Sequence, residues 1–240
     1  MMGEEIVKVL IIIPAYNEQE NIESVVKNLK DNYSHFDYIV INDCSTDNTK
    51  KILDKNNYNY IDLPVNLGIG GGIQTGYKFA LKNNYDIAIQ MDGDGQHDPK
   101  YFDEIIEYMQ KENADIVIGS RFIKKDGFQS TIMRRLGIQF LSKLIKVVSG
   151  ANIKDVTSGY RIVNKRFIEL YAKEYAQDYP EPEAIISAAI NNGKIIEYPV
   201  IMKERIGGTS SISSIKSIYY MIKVSLAIIL CRITIDKKRR

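Results

Sequence analysis

Apolar and polar positions follow two periods through the first half of the chain. Compact apolar runs at Val7–Ile13, Tyr38–Ile41, Tyr58–Leu63, Ile87–Met91 and Ile116–Gly119 have the length and composition of buried strands. Between them, Glu18–Leu29, Thr49–Asp54, Gly71–Asn83 and Pro99–Glu112 carry helical spacing. This alternation predicts an α/β fold with a mostly parallel central sheet flanked by helices. Ligands bind such sheets beyond the carboxyl ends of the strands. Pro14–Glu18, Asn42–Thr49 and Asp92–Asp98 each directly follow a strand, so three polar clusters converge on one edge.

The second half has a different pattern. Residues 132–148 place Met133, Leu136, Phe140, Leu144 and Val147 at helical spacing, with Arg135, Gln139, Ser142 and Lys146 on another face. Such a basic amphipathic helix suits either a membrane surface or an ordinary seam on the sheet. Ile215, Ile218, Tyr219, Ile222, Leu226 and Ile229 repeat the pattern and run on to Lys237, Lys238, Arg239 and Arg240. Lys223 and Arg232 interrupt the 18 residues from Ile218 to Ile235, whereas a span needs roughly 20 predominantly apolar ones. An in-plane helix is expected, with the basic cluster attracted to anionic lipid.

Charge sharpens the division. Residues 1–130 carry 13 basic and 21 acidic side chains, net −8, while residues 131–240 carry 19 and 9, net +10. A chain of 240 residues with 45% hydrophobic content can bury a substantial core, and no low-complexity tract or Pro/Gly linker marks an independent second domain. The N-terminal apolar run fits a strand and not a signal peptide. Cys44 and Cys231, far apart and without metal-ligand spacing, predict packing residues in a reducing cytoplasm.

The most informative chemistry lies in Asp92-Gly93-Asp94-Gly95-Gln96-His97-Asp98, where an apolar strand runs out. Strand alternation lets Asp92 and Asp94 face the same way. Carboxylates so close need protons or a cation, and hard oxygen ligands suit Mg²⁺ or Mn²⁺; the bland alternative is an acidic Asp-Gly turn. Asn66–Gly76 is glycine-rich and suits either a phosphate at a helix N-terminus or tight helix packing. Ile73 stands at the third glycine position of a dinucleotide fingerprint and no lysine completes a P-loop, so neither motif is present.

Together, Pro14-Ala15-Tyr16-Asn17-Glu18, Asn42–Thr49, Asn66–Gly76, Asp92–His97, Gly119-Ser120-Arg121, Ser158-Gly159-Tyr160-Arg161 and Arg205–Ser210 resemble, in order and over nearly the whole chain, the family 2 glycosyltransferases of the GT-A fold. The likeness is greatest to the dolichyl-phosphate-mannose-synthase-like, polyprenyl-phosphate branch. The resemblance implies a GT-A catalytic domain over 1–212, with a nucleotide-sugar half at 1–130 and an acceptor half at 131–212. A basic amphipathic helix for a membrane surface or partner follows at 213–240. It further implies a metal-dependent inverting transferase. Pro14, Ala15, Tyr16, Glu18, Asp43, Gly71, Gln74, Asp92, Gly93, Asp94, Arg205 and Ser210 would bind the nucleotide sugar, with Asp43 accepting a base N–H. Asp92, Asp94 and Gln96 would hold Mg²⁺ or Mn²⁺, while His97 takes a supporting role in the turn. Asp47 and Thr49 are expected to cap a helix.

On the acceptor side, the resemblance points to Arg121, Arg134, Ser158 and Arg161. Catalytic roles fall on Asp92, Asp94, Arg121, Arg205 and Glu183. Asp155 is a candidate partner for one of the arginines. The implied reaction moves a hexose or N-acetylhexosamine from a nucleoside-diphosphate sugar to an undecaprenyl- or dolichyl-type phosphate. The expected place is the cytoplasmic membrane face, by peripheral attachment, with a small membrane-protein partner or self-association and no nucleic acid. An alternative is transfer to a hydroxyl of a cell-surface polysaccharide or lipid-linked oligosaccharide, with Glu183 or Glu181 as base. A phosphate acceptor, largely ionised at pH 7, needs cations more than a base. Glu183 is equally a first-turn carboxylate favoured by the helix dipole.

Overall fold

The computed structural model describes residues 7–124, 132–203 and 214–238. Its strands are β1 (Val9–Ala15), β2 (Asp37–Asn42), β3 (Tyr60–Asp62), β4 (Ile87–Gln90), β5 (Ile116–Ser120), β6 (Arg161–Asn164) and β7 (Ile195–Pro199). Its α-helices are α1 (Ile22–Asn32), α2 (Thr49–Lys55), α3 (Gly68–Lys82), α4 (Phe102–Lys111), α5 (Ile132–Ser149), α6 (Lys165–Lys173), α7 (Pro180–Ile190) and α8 (Ser214–Lys238). The strands form one sheet in the order β3-β2-β1-β4-β6-β5-β7. All neighbouring pairs are parallel except those of β6, which runs antiparallel to both β4 and β5.

All seven residues of β1 are buried, so its apolar run serves two cores. Leu10 and Ile12 face α3, α5, α6 and α7 through Ile73, Tyr77, Leu141, Phe167 and Ile185; Ile11 and Ile13 face α1 and α4 through Val25, Leu29, Phe102 and Ile105. Close packing of α3 on β1 depends on Gly76, where a Cβ would collide with Ile12. Val224 and Ile228 bury one side of α8, which lies against α5 and α7.

Helix α3 starts at Gly68, three residues before the periodicity, and two other helix starts come later than the pattern. The chain at Glu18 forms a turn, its carbonyl accepting the Asn21 and Ile22 N–H groups, and α1 starts only at Ile22. Pro99–Tyr101 is a tighter 3₁₀ turn, capped by Asp98 accepting from Lys100 N, before α4 begins. Strands β6 and β7 have no counterpart among the five apolar runs, because segments of four and five residues bounded by polar loops carry too little pattern to separate strand from helix.

Candidate active site

Two of the strand-end loops are sewn together before any ligand arrives. Asn17, in the left-handed region at φ 56°, donates its N–H to Ser45 Oγ and accepts from the Thr46 and Asp47 N–H groups. Asp47 accepts from Thr49 N at 2.9 Å and from Gln19 N at 3.1 Å, so it has the expected capping role. Glu18 is braced by Thr49 Oγ1 at its N–H and by Asn21 Nδ2 at its carboxylate. Tyr16 is left 49% exposed at the rim, above buried Pro14 and Ala15.

Asp43, only 5% exposed, ties these loops to the glycine-rich turn: its Oδ1 accepts Leu67 N at 2.7 Å. Asn66 Oδ1 accepts Gly68 N at 3.0 Å, and Gly68 takes φ 75°, a conformation glycine adopts at little cost. The amides of Leu67, the N-cap of α3, and of Gly68, its first residue, thus bond to protein oxygens. Gly70 and Gly71 admit the Ala176–Gln177 backbone and the Leu67 side chain respectively. Gln74 is spent on structure too, donating to the Ala172 and Lys173 carbonyls and accepting from Gln177. Gly71 and Gln74, expected from the resemblance to bind the sugar nucleotide, are thus also packed against the Leu67 side chain and the 172–177 segment.

The acidic loop packs directly on the first one. A Cβ on Gly93 would meet Pro14 O at 3.1 Å and Glu18 Cγ at 3.6 Å, which places Asp92 and Asp94 beside the Tyr16–Asp43 pocket. Asp92 rests against Gly159, where a Cβ would lie 3.1 Å from both carboxylate oxygens. His97 supports the turn from below. Its Nδ1 accepts Asp92 N, its ring stacks on Tyr160 at 4.9 Å, and burial pushes its pKa down to about 4. Asp94 Oδ1 accepts Gln96 N, and the Gln96 carboxamide donates to Lys203 O.

Beneath the loop the expected acceptor cations are held inward. Arg121, its side chain 9% exposed, forks onto Asp155 through Nε at 2.8 Å and Nη2 at 2.7 Å. Burial alone would lower its pKa, but the Asp155 hydrogen bonds and charge raise it. Ser158 donates to Gly119 O at 2.6 Å, and Arg161 donates through Nε to Ser158 O, both residues being buried. Arg121, Ser158 and Arg161, expected from the resemblance to bind the acceptor, are thus engaged with neighbouring protein groups beneath the loop. Arg134 is exposed on α5. Arg205 and Ser210 lie outside the described residues.

The two α7 carboxylates diverge. Glu181 senses the charges of Arg161 and Asp92, and burial raises its pKa. Glu183 is also raised by burial, but its charged neighbour is Asp178 and its carboxylate accepts the Tyr179 N–H. The charge of Glu183 also helps to raise the Cys231 thiol on α8, behind the effect of burial. The sequence singled out Glu183; Glu181 carried only its place on the same helix turn. Gln90, completely buried on β4 with an unbonded Nε2 near Gly159, also escaped notice because it sits in an apolar run.

Among the described residues, no three His, Cys, Asp or Glu side chains gather into a self-sufficient metal cage. That donor set still fits a hard cation, because Mg²⁺-type ions take one or two carboxylates and complete their shell with substrate phosphate oxygens and water. The Gly159 cradle leaves room for the Asp92 oxygens, and the Gln96 amide nitrogen is engaged, so its Oε1 is the atom suited to ligation.

A family model described as glycosyl transferase family 2 matches residues 10–171. The chain is similar to the undecaprenyl-phosphate mannosyltransferase of Micrococcus luteus, 29% identical over 215 residues, covering 86% of this chain and 88% of that protein. It is also similar to the UDP-N-acetylglucosamine–dolichyl-phosphate N-acetylglucosaminyltransferase of Methanococcus voltae, 30% identical over 212 residues, covering 80% and 84%. Among solved structures it resembles glucosyl-3-phosphoglycerate synthase of Mycobacterium tuberculosis in complex with Mn²⁺, uridine diphosphate and phosphoglyceric acid. That match has a TM-score of 0.68 at 17% identity and covers 94% of this chain and 78% of the other, a likeness of fold.

Proposed function

The chain belongs to glycosyl transferase family 2, with the GT-A fold, and on that premise we propose that it transfers a hexose or N-acetylhexosamine from a nucleoside-diphosphate sugar to a polyprenyl phosphate. The observation that carries this reading is the packing of Gly93 on Pro14 and Glu18, which sets two carboxylates beside a pocket built from Tyr16 and Asp43. Relatives named for polyprenyl-phosphate acceptors support the acceptor class.

In this reading the nucleoside lies over Tyr16 and Asp43 and the diphosphate reaches Asp92 and Asp94. A bound Mg²⁺ or Mn²⁺ supplies electrostatic stabilisation of the departing diphosphate. His97 fixes Asp92 through its backbone N–H, and Gly159 leaves room for its carboxylate. A lipid phosphate oxygen attacks the anomeric carbon as the bond to the diphosphate oxygen breaks, inverting the centre. The acceptor is already ionised, so no protein base is required. Arg134 and, by resemblance, Arg205 and Ser210 serve the phosphates.

No helix among the described residues is long and apolar enough to cross a membrane. We place the protein on the inner membrane face through α5 and α8, which expose Met133, Leu136, Phe140, Val147, Ile222, Leu226 and Leu230 beside basic residues.

A second reading, transfer to a sugar hydroxyl, would use Glu181, a first-turn carboxylate of α7 whose pKa burial raises, with the charge of Asp92 adding to it. Incubation with membranes and labelled nucleotide sugars, followed by organic extraction, decides between them. A mild-acid-labile lipid phosphosugar supports the first; labelled polymer without labelled lipid supports the second.

A further inference from the structure

We infer that Gln90 is a positioning residue of the metal site, its Nε2 holding one oxygen of Asp92 while the other meets the cation. This rests on the glycosyltransferase reading and goes beyond it. Gln90 ends β4 after a run of apolar residues and is completely buried, yet its Nε2 has no hydrogen-bond partner. A buried N–H left unpaired is costly, so a glutamine in that place calls for an acceptor. Its neighbours across the sheet supply none: the Ile12 side chain on β1 is apolar, and that of Arg161 on β6 carries only donors. Tyr175 donates to Oε1 at 3.5 Å, which leaves Nε2 on the other side of the amide.

On that side lies Asp92. A Cβ on Gly159 would stand 3.3 Å from Gln90 Nε2 and 3.1 Å from each Asp92 oxygen, so amide and carboxylate share the space that a methyl group would take. The Asp92 backbone is tied by its N–H to His97 Nδ1 at 3.0 Å, and Gln90 is locked by burial. The Asp92 side chain is 38% exposed, so it is the member of the pair that turns. Rotation about its side-chain bonds within the Gly159 cradle brings one oxygen onto Nε2 and leaves the second for a hard cation. Carboxylates that ligate metals are themselves hydrogen-bonded, which fixes the direction of the remaining lone pairs and sharpens affinity. Leucine would fill much the same volume in β4 without an unpaired donor, so the presence of glutamine there follows from Asp92 and not from packing.

Two measurements on the full chain and on Gln90→Leu test this: Mn²⁺ binding in the presence of UDP or of GDP, followed by electron paramagnetic resonance of the free ion, and thermal unfolding in EDTA. The variant should bind Mn²⁺ about tenfold more weakly or worse. Its thermal midpoint in EDTA should equal or exceed that of the wild type, because a buried donor without a partner has been removed, whereas a purely structural glutamine would lower it. Since Gln90→Leu also takes the acceptor from Tyr175, Gln90→Leu combined with Tyr175→Phe removes both polar groups. That double variant should have the wild-type midpoint in EDTA and keep the low Mn²⁺ affinity. Wild-type Mn²⁺ affinity in either folded variant overturns the proposal and leaves the transferase reading standing, as does a midpoint in EDTA that drops in both. A wild-type chain that binds no Mn²⁺ with either nucleotide overturns the metal-dependent reading and the role of Gln90 with it.

Discussion

Nδ1 of His97 accepts the backbone N–H of Asp92 at 3.0 Å, which puts the imidazole proton on Nε2, 3.7 Å from Asp92 Oδ2. The ring therefore has to stay neutral to keep the acidic turn in place. Burial lowers its pKa from 6.5 to about 4, with Asp94 opposing and Arg121 reinforcing the shift. The unfolded chain takes up the proton near 6.5 and the folded one only near 4, so the stabilisation is complete above pH 6.5 and is lost as pH falls toward 4. Urea unfolding of chelator-treated protein should lose up to roughly 3 kcal/mol across that window. A His97→Gln variant should show a flatter dependence there.

The Arg121–Asp155 pair makes a second prediction about stability. Asp155 is completely buried and accepts from three Arg121 nitrogens, Nε, Nη2 and the backbone N–H. Asp155→Ala strands a buried guanidinium and should cost about 3–5 kcal/mol in denaturant unfolding. Replacing both, as Arg121→Met with Asp155→Leu, should recover most of that loss, because neither charge remains to be desolvated.

Gly159 separates function from folding. Alanine there places a methyl group 3.1 Å from both Asp92 oxygens and 3.3 Å from Gln90 Nε2, so the carboxylate has to move. Transfer rate should fall more than tenfold and Mn²⁺ should bind more weakly, while the unfolding free energy changes by less than about 1 kcal/mol.

The alternation of strand and helix, the three strand-end loops and the acidic turn were all legible in the sequence, because each is a local pattern a few residues long. What escaped it was long-range. Whether α3 offers its amides to a phosphate or to Asp43 and Asn66 depends on how loops 24 residues apart meet. Likewise, an arginine in a phosphate-binding motif has the same letters whether it opens to solvent or, like Arg121, folds onto an aspartate 34 residues away. Gln90 and Glu181 gave no periodic signal; their placement follows from the antiparallel pairing of Gln90 with Arg161 and from the seating of α7.

The divergent carboxylates of α7 discriminate between acceptor classes. If the acceptor is an ionised lipid phosphate, Glu183→Gln should keep more than about half of the wild-type rate, since the Tyr179 N–H can still bond to the amide oxygen. Glu181→Gln, beside Asp92, is expected to act on the donor KM more than on kcat. A hundredfold fall in kcat for either variant, with donor binding intact, would point to a base and to a hydroxyl acceptor.

Helices α5 and α8 both leave large apolar side chains in solvent. Phe140 is 54% exposed and Leu226 55%, on helices that pack on each other through other residues such as Leu141, Val224 and Ile228. An apolar strip of this kind is costly in water unless something covers it, and the exposed Arg134, Arg135, Lys143 and Lys146 on α5 make an anionic bilayer the complementary surface. Phe140→Asp combined with Leu226→Asp removes apolar area and adds negative charge without touching the core, so the far-ultraviolet dichroism and thermal midpoint should match wild type. Sedimentation with phosphatidylglycerol vesicles should fall at least fivefold, and wild-type binding should weaken as salt rises from 50 to 500 mM on the order of magnitude expected for screened surface charge. Equal vesicle binding by variant and wild type would remove the membrane from the account of this face, leaving a protein partner or a second copy as its cover.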